Sequence, residues 1–474
     1  MSDAASVANA AALGEAPARG LARFAHDLRY DAIPAPVRER AKYLILDALG
    51  IAFASTTYPF AERVRAGVDA LADGPGDYTV IGSDRPLPLR DAVLMNGVLI
   101  HGLDFDDTHM AGLIHPSVAC LPAIIGAAEQ TGASGRDLLT AYAAGMETGI
   151  RIGASVDGGF HHIGFHATGI VAHFASALAA GRLYGLDEAQ LVAAQGVTGS
   201  TAAAIQVFLE TGAWTKRLHP GWAAVGGVTA ARLAQHGFEA PERVYEGRYG
   251  LFQTHLQALE EKVDYAAMTD GLGSRWEIEN VAIKPYPVCH FIHGCADAAI
   301  ELHSRRSFEP DDIVAVRAFV AEDTLPIVTE PVESKKAPAN EYDAKFSTQF
   351  VVAACLLRGR FGLAELKEDA LADPEILRLS RMVDCSADPD SAFPTYFSGG
   401  VAVTTRSGEE LTSHVRMNSG AGERALDGDA IAAKFMANAA LAVPESQARA
   451  LRDGVLGLDD ITAAELAALL RGAP

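Results

Sequence analysis

The chain has 474 residues, of which 49% are hydrophobic and 21% charged, and its formal net charge at pH 7 is −21. This length predicts two domains with ample core material. The negative charge argues against binding to nucleic-acid phosphates or to an anionic membrane surface. No apolar run is long enough for a membrane helix, and residues 1–20 lack the pattern of a signal peptide, so we expect a soluble protein with a flexible lead-in.

The cysteine content points to a reducing compartment. The five cysteines are widely scattered and form no CxxC pair, which is neither a disulfide framework nor a zinc signature. We therefore expect a cytoplasmic location. The cysteines are Cys120, Cys289, Cys295, Cys355 and Cys385.

The spacing of apolar residues over 21–274 is almost entirely helical. VRERAKYLILDALGIAFA predicts a long helix over 37–54. Ser134 is a predicted N-cap for a helix that ends near Gly153, and Asp187 is another predicted N-cap. The many alanine and glycine residues predict helices that pack closely. These features predict a large all-helical domain.

The pattern changes over residues 275–420, which we predict to form a smaller α+β domain with a short antiparallel sheet. RWEIENVAIKPYP predicts a strand over 275–287, and DIVAVRAFV predicts a strand over 312–320. GGVAVTTRSGEELTSHV predicts a hairpin that turns at Ser407-Gly408. Residues 421–474 return to a helical pattern and are expected to pack on residues 21–274. The predicted fold class is mainly α.

Chemically active side chains first appear together in LIHGLDFDDTH, residues 99–109. A predicted helix from Pro88 to about His101 leads into this segment, and Asp104 and Thr108 follow in the loop. A structural turn in which the aspartates accept backbone amides would explain the same residues. The density of His and Asp also resembles a metal site, but no HExxH or EF-hand spacing supports one. His115 follows soon after the loop, directly before a helix that is predicted to begin at Pro116.

Two further groups combine histidine or lysine with apolar residues. In HHIGFHATG, His166 precedes a predicted apolar helix, at the position where backbone N–H groups can hold a carboxylate. The alternative is a simple cap, with the neighbouring histidines facing solvent. In WTKRLHPGWAA, Lys216 and Arg217 lie between two tryptophans, which would strengthen the attraction of these cations for an anion. The alternative is a surface turn whose side chains extend over apolar residues.

The fourth group, KPYPVCHFIHG, lies at a predicted strand-to-helix junction. Lys284, Tyr286 and His290 are candidate ligands for a substrate carboxylate. Cys289 is a possible nucleophile, but no local partner would activate it, so a packed thiol is the preferred interpretation. Histidine is concentrated in this middle part of the chain, since 12 of the 15 histidines lie between His101 and His293. Such clustering favours an anion-binding site.

No Walker A loop, GxGxxG strand–helix junction or GxSxG elbow occurs in the sequence. The four groups, together with KFSTQF at 345–350 and KFMANAA at 434–440, resemble the MmgE/PrpD family over nearly the whole chain. The resemblance implies a helical domain formed by 21–274 and 421–474 with an inserted lid at 275–420. It also implies a homodimer that needs no metal or organic cofactor.

The resemblance implies a cofactor-independent enzyme that acts on a small di- or tricarboxylate through a carbanion or enolate. A lyase is expected, either a 2-methylcitrate dehydratase or a cis-aconitate decarboxylase. The alternatives are an epimerase for a diacid such as iminodisuccinate and, more remotely, a non-catalytic helical scaffold. One difference from decarboxylases is Ala167, where they often carry proline. The expected catalytic residues are His166, Lys216, His115, Asp104 and Thr108, and the expected substrate-binding residues are His101, Arg217, Lys284, Tyr286 and His290.

Overall fold

The computed structural model describes residues 14–305 and 308–471, and most of them are helical. The first and larger group of helices precedes residue 257. The first of these helices begins at Pro17, within the lead-in predicted over residues 1–20. The part of that lead-in before Gly14 lies outside the described residues. The helices are Pro17–Asp27, Ala35–Ser55, Pro59–Leu71, Leu89–Ile100, Pro116–Thr131, Gly135–Ala154, Gly159–Ile163, Ala167–Leu183, Glu188–Thr198, Thr215–Gln235 and Leu251–Leu256.

The capping signals identified in the sequence are confirmed. Ser134 and Asp137 form a reciprocal capping box at the start of Gly135–Ala154, and the Asp187 side chain accepts from the Gln190 amide at the start of Glu188–Thr198. The predicted helix over 37–54 is also confirmed, as Ala35–Ser55.

Close helix packing brings the later site residues together. The helices Leu89–Ile100 and Thr215–Gln235 cross at Gly97 and Gly221, where a Cβ added to Gly97 would lie 2.3 Å from the Gly221 Cα. Only glycine permits this approach of the two backbones. The crossing places Lys216, near the start of its helix, beside the segment that follows Ile100.

The second part of the chain, residues 284–420, is built around one four-stranded sheet of order β4-β3-β5-β6. Its strands are β3 (Ile313–Val320), β4 (Val383–Ala387), β5 (Gly399–Thr405) and β6 (Glu410–Val415), and its helices are His293–Ser304, Leu325–Val328, Val332–Lys336, Glu341–Ala344, Thr348–Arg358, Glu368–Leu371 and Pro374–Met382. The strand predicted over 312–320 and the hairpin that turns at Ser407-Gly408 are confirmed.

Two predictions for this part were wrong. The segment 275–287 is not one strand, because Glu277–Asn280 is a 3₁₀ helix and only β2 (Val281–Ala282) is extended. It pairs with β1 (Thr108–His109) instead of joining the larger sheet. That sheet is also not wholly antiparallel, since β4 pairs in parallel with β3. The alternation of apolar residues in 275–287 indicates which of them are buried. A 3₁₀ turn packed among helices buries residues in the same way, so the pattern did not require a strand.

Three C-terminal helices, Gly428–Ala439, Glu445–Leu456 and Ala463–Leu470, pack on the first group of helices. Their apolar residues belong to the same core cluster as residues 18–283, whereas residues 288–415 form a second core with Phe208. The predicted mainly α fold with a small sheet is confirmed. Among the described residues no single helix is long and apolar enough to cross a membrane. The bent pair Ala35–Ser55 and Pro59–Leu71 reaches that length and composition only when its two helices are taken together.

Candidate functional site

A cavity of about 70 Å³ lies where the two cores meet. Its residues come from seven segments that are far apart in the sequence, and they include polar and apolar side chains in similar numbers. An apolar lining with a few converging polar groups is typical of small-molecule sites. The cavity is lined by Asp104, Thr108, Leu113, His115, His161, His166, Gln206, Phe208, Leu209, Lys216, Lys284, Cys289, His290, Phe291, Ile327, Phe346 and Phe397.

The segment 101–109, here called the aspartate loop, forms one side of the cavity. The helix Leu89–Ile100 ends at its first residue, and the loop ends in β1, which pairs with β2. Although the loop carries three aspartates, all of its residues are buried. Asp106 accepts a hydrogen bond from His101, 2.8 Å away, and Asp107 accepts from the Ser117 amide at 3.1 Å. Both carboxylates therefore brace the loop.

Asp104 is the aspartate that lines the cavity. Its Oδ1 lies 2.5 Å from the Lys216 Nζ and 3.5 Å from the Lys284 Nζ. Burial alone would raise the pKa of Asp104, but these two ammonium groups hold it well below its usual range. Asp104 is therefore ionised, and its Oδ2 has no hydrogen-bond partner, as is also true of the Thr108 hydroxyl. Unpartnered buried polar atoms at a cavity are available to a ligand.

Two histidines stand beside this ion pair. His166 is the N-cap residue of the helix Ala167–Leu183, which confirms the predicted start of that helix, and His115 directly precedes Pro116–Thr131. Burial lowers the pKa of His115 to about 3, and burial followed by repulsion from Lys216 lowers the pKa of His166 well below its usual range. Both imidazoles are therefore neutral at neutral pH.

The hydrogen bonds of His166 leave one ring nitrogen free. Its Nδ1 lies 3.1 Å from the Nδ1 of His219, so one of the two rings donates and the other accepts. The Nε2 of His166 is buried and has no partner. The tautomer of His219 thereby decides whether that free nitrogen carries a proton.

His161 and Gln206 line the cavity although neither was selected from the sequence. The Nε2 of His161 lies 3.0 Å from the Leu113 carbonyl oxygen, and its Nδ1 accepts from the Gln206 side-chain amide at 2.9 Å. Burial lowers the pKa of His161 to about 4. The interpretation that the neighbours of His166 face solvent holds for His162, which is exposed, and is wrong for His161. The cluster of histidines in HHIGFH could have indicated His161 as a cavity residue, whereas no local sequence pattern points to Gln206.

Lys284 and His290 reach the cavity from the second part of the chain. Lys284 donates to the backbone carbonyl of Asp104 at 2.8 Å. His290 accepts from the Asn418 side-chain amide at 2.8 Å, and its Nδ1 is buried without a partner. Cys289 also lines the cavity, but burial raises the pKa of its thiol, which supports the packed-thiol interpretation.

The remaining lining is apolar and was not predicted. These side chains lie among the polar ones: the Phe346 ring is 5.0 Å from the Lys216 ammonium nitrogen, and the Phe397 ring is 4.9 Å from the His290 ring. The Phe346 ring desolvates the Lys216 cation in place of the two tryptophans, since Trp214 and Trp222 are largely exposed. These apolar lining residues, here together called the apolar side, are Leu113, Phe208, Leu209, Phe291, Ile327, Phe346 and Phe397.

Three of the predicted substrate-binding residues do not line the cavity. The His101 ring, at the start of the aspartate loop, is fully buried and pairs with Asp106. Arg217 donates to the Gly102 carbonyl at 2.6 Å and pairs with Glu341. Tyr286 donates to Asp297 at 2.7 Å. All three have partners inside the protein.

One group of side chains has the composition of a metal site. Among the described residues, His101, His115 and His166 offer ring nitrogens that lie within 4.8 Å of one another. Ligands of a tetrahedral zinc ion are closer, about 3.3 Å apart for Zn–N bonds near 2.0 Å. The ammonium groups of Lys216 and Lys284 add positive charge at the same cavity. The arrangement therefore fits an anion better than a metal cation.

The match to known families covers both parts of the chain. Residues 19–263 match the MmgE/PrpD N-terminal domain, and residues 286–460 match the MmgE/PrpD C-terminal domain. The chain therefore belongs to the MmgE/PrpD family.

Characterised relatives include two kinds of lyase. The chain is 28% identical over 466 residues to a cis-aconitate decarboxylase of Aspergillus terreus, with 93% of each chain covered. It is 29% identical over 474 residues to the cis-aconitate decarboxylase of Homo sapiens, which covers 94% of this chain and 93% of the relative. It is 24% identical over 382 residues to a 2-methylcitrate dehydratase of Cupriavidus necator, which covers 76% of this chain and 75% of the relative.

Proposed function

We propose that this protein is a cofactor-independent lyase that decarboxylates a small unsaturated polycarboxylate such as cis-aconitate. The observation that carries the proposal is the buried cavity in which an aspartate–lysine ion pair, two neutral histidines and a second lysine meet an apolar surface. The similarity to cis-aconitate decarboxylases over 93% of both chains supports the same reaction class.

The polar side of the cavity is suited to hold carboxylates. Lys216 and Lys284 are buried cations, and an ion pair or hydrogen bond with them is strong because little water competes. Both lysines share the single carboxylate of Asp104, so their charge is not fully neutralised within the protein. A substrate carboxylate supplies the missing negative charge. The free Thr108 hydroxyl and His290 Nδ1 offer further contacts.

The apolar side favours decarboxylation over dehydration. A carboxylate placed against phenylalanine and leucine side chains is poorly solvated, whereas the carbon dioxide that it becomes is neutral and apolar. When the C–C bond breaks, its electron pair passes into the unsaturated system that ends in a carboxylate held by the lysines. Loss of hydroxide in a dehydration would gain nothing from these apolar contacts, because hydroxide leaves as a charged group that needs a proton donor.

Lys216 and His166 are placed to complete the reaction. The carbanion takes a proton from the Lys216 ammonium or from the Nε2–H of His166, and solvent later returns that proton. The carbanion exists as a delocalised enolate, which the two ammonium groups stabilise. Each such proton donor contributes roughly 10²–10⁴-fold in rate.

Proton NMR in D₂O tests the proposal with four substrates: cis-aconitate, citrate, 2-methylcitrate and iminodisuccinate. We expect cis-aconitate to lose carbon dioxide and the product to carry one solvent deuteron. Loss of water from 2-methylcitrate without decarboxylation of cis-aconitate would establish a dehydratase. Deuterium exchange without loss of either group would establish an epimerase and contradict a lyase. A chain that changes none of the four would contradict the catalytic proposal.

We also infer a homodimer, formed through the surface beside the cavity. Trp214, Leu218 and Trp222 recur every four residues on one exposed face, and Ile205 and Val207 are exposed on the neighbouring cavity segment. Trp222 is 57% exposed and Ile205 is 59% exposed in the single chain. Light scattering is expected to give a dimer mass.

The variant Trp222→Lys is expected to dissociate that dimer, while Phe238→Lys, which also replaces an exposed aromatic residue, leaves it intact. A monomeric wild-type protein would contradict the inference.

A further inference from the structure

Four consecutive backbone carbonyls of the aspartate loop each accept a hydrogen bond from a different cationic side chain. Arg217 donates to Gly102 at 2.6 Å, and Lys345 donates to Leu103 at 2.6 Å. Lys284 donates to Asp104 at 2.8 Å, and Lys434 donates to Phe105 at 3.0 Å. All four donors are largely or fully buried.

The four donors come from distant parts of the chain. Arg217 belongs to the helix Thr215–Gln235, and Lys284 follows β2. Lys345 and Lys434 begin the segments KFSTQF and KFMANAA, to which the proposed reaction assigns no role. The loop is therefore the point at which the first helices, the second part and the C-terminal helices all make contact.

The backbone of the loop needs this support. Asp104 has a φ of 51°, in the left-handed region that residues other than glycine seldom adopt. Such a conformation costs free energy and persists only where surrounding contacts determine it. It directs the Asp104 carboxylate to Lys216, at 2.5 Å. The hydrogen bonds to the Leu103 and Phe105 carbonyls, on either side of Asp104, keep its side chain in this orientation.

Lys345 does not line the cavity, but it joins two segments that do. Its ammonium group holds the Leu103 carbonyl, and its own backbone carbonyl accepts from the Cys289 amide at 2.8 Å. Cys289 and the adjacent His290 line the cavity from the second part of the chain. The only acidic group paired with Lys345 among the described residues is Glu341, at 3.5 Å.

We propose that Lys345 is a positioning residue: it fixes Leu103 and so holds Asp104 in the conformation that pairs with Lys216 at the cavity. The inference rests on the proposed function, in which that ion pair acts on the substrate. Lys345 does not touch the substrate. Its loss should therefore slow turnover while substrate binding changes little.

The test compares Lys345→Met and Lys345→Gln with Lys335→Met. Lys335 is the matched control because it is a buried lysine of the same part of the chain, paired with Asp343 at 3.7 Å and absent from the cavity. We expect both Lys345 variants to lower kcat about 10- to 100-fold with KM changed less than about threefold, because misplacing a reacting group by about 1 Å has effects of this size. Lys335→Met is expected to keep the wild-type kcat. Unchanged kcat in a folded Lys345 variant, or an equal loss in the control, would overturn the proposal.

Crystal structures of wild type and Lys345→Gln provide a readout that does not depend on activity. We expect Asp104 to leave the left-handed region in the variant and its carboxylate to move away from Lys216. An unchanged Asp104 would overturn the positioning role even if kcat falls. If the wild-type protein turns over no polycarboxylate, the proposed function fails while the crystal structures still decide the role of Lys345.

Discussion

The polar and apolar sides of the cavity are held in place in different ways. On the polar side, Asp104, Lys216 and Lys284 are fixed by ion pairs and by hydrogen bonds to the backbone of the aspartate loop. On the apolar side, phenylalanine, leucine and isoleucine side chains are fixed by packing alone. The polar side therefore controls where charge and protons lie, and the apolar side controls which part of a substrate is removed from water.

This contrast has an electrostatic consequence. Groups on the polar side are shielded from water, so the histidines are neutral, while the neighbouring lysines keep Asp104 ionised. The apolar side strengthens those interactions because it lowers the local dielectric constant. Neither side would perform the proposed chemistry alone. The predictions below remove one side at a time.

The largest effect is expected from the polar side. Lys216→Met and His166→Gln should each lower kcat/KM by roughly 10²–10⁴-fold, because each removes a proton donor or an anion contact. The control His162→Gln changes an exposed histidine four residues before His166 and is expected to keep the wild-type rate. Steady-state kinetics with cis-aconitate measure all three. Near-normal rates for Lys216→Met or His166→Gln would contradict the assigned roles.

A smaller effect is expected from the apolar side. Leu209→Asn introduces a polar group of similar size into the cavity lining, where it improves solvation of the substrate carboxylate that should leave. We expect kcat to fall about tenfold for decarboxylation, a loss that corresponds to about 1.4 kcal/mol. The control is Leu441→Asn, at an exposed leucine outside the cavity and outside the proposed dimer surface. A variant at Leu209 that is as fast as wild type would show that the apolar side only shapes the cavity.

Acid should destabilise the fold through the buried histidines. The folded-state pKa is about 3 for His115 and about 4 for His161, below the value of about 6.5 in an unfolded chain. At these two residues the unfolded state therefore binds more protons below pH 6.5, so their contribution to stability falls as pH drops from about 6.5 towards 3. Urea unfolding at several pH values measures this slope. His115→Asn is expected to flatten the slope; equal slopes in wild type and His115→Asn would contradict the buried neutral state.

The smallest effect is expected at Cys289, which lines the cavity without an activating partner. Cys289→Ser should change kcat/KM by less than about threefold, and thiol reagents should react slowly because burial keeps the thiol protonated. Kinetics and the rate of alkylation measure this. A loss of more than about 100-fold would instead indicate a nucleophilic role.

Much of the polar side could be predicted from the sequence because its residues occur in short motifs. Asp104 and Thr108 share one loop, and His115 and His166 each directly precede a helix. Local sequence patterns therefore identify these four residues as candidates. The apolar side could not be predicted, since Phe208, Phe346 and Phe397 lie in segments whose meeting depends on long-range packing. A buried phenylalanine in the sequence looks the same whether it lines a cavity or fills a core.

The errors have a similar cause. Arg217 lies next to Lys216 in the sequence, but successive residues on a helix point about 100° apart. Lys216 consequently reaches the cavity, while Arg217 reaches the Gly102 carbonyl and Glu341. His161 was not selected from the sequence, and only the fold places it against Leu113 and Gln206.

The sequence by itself determined the helices, their caps, the two-strand hairpin and the residue types available for acid–base chemistry, because these depend on neighbours within a few turns of chain. Tertiary structure decided which cations meet which carbonyls of the aspartate loop, and it fixed the left-handed conformation of Asp104. Those contacts join residues more than 100 positions apart, such as Lys345 and Leu103. Burying so many charges in one place costs free energy. The packing of both cores offsets that cost, and no local sequence pattern could do so.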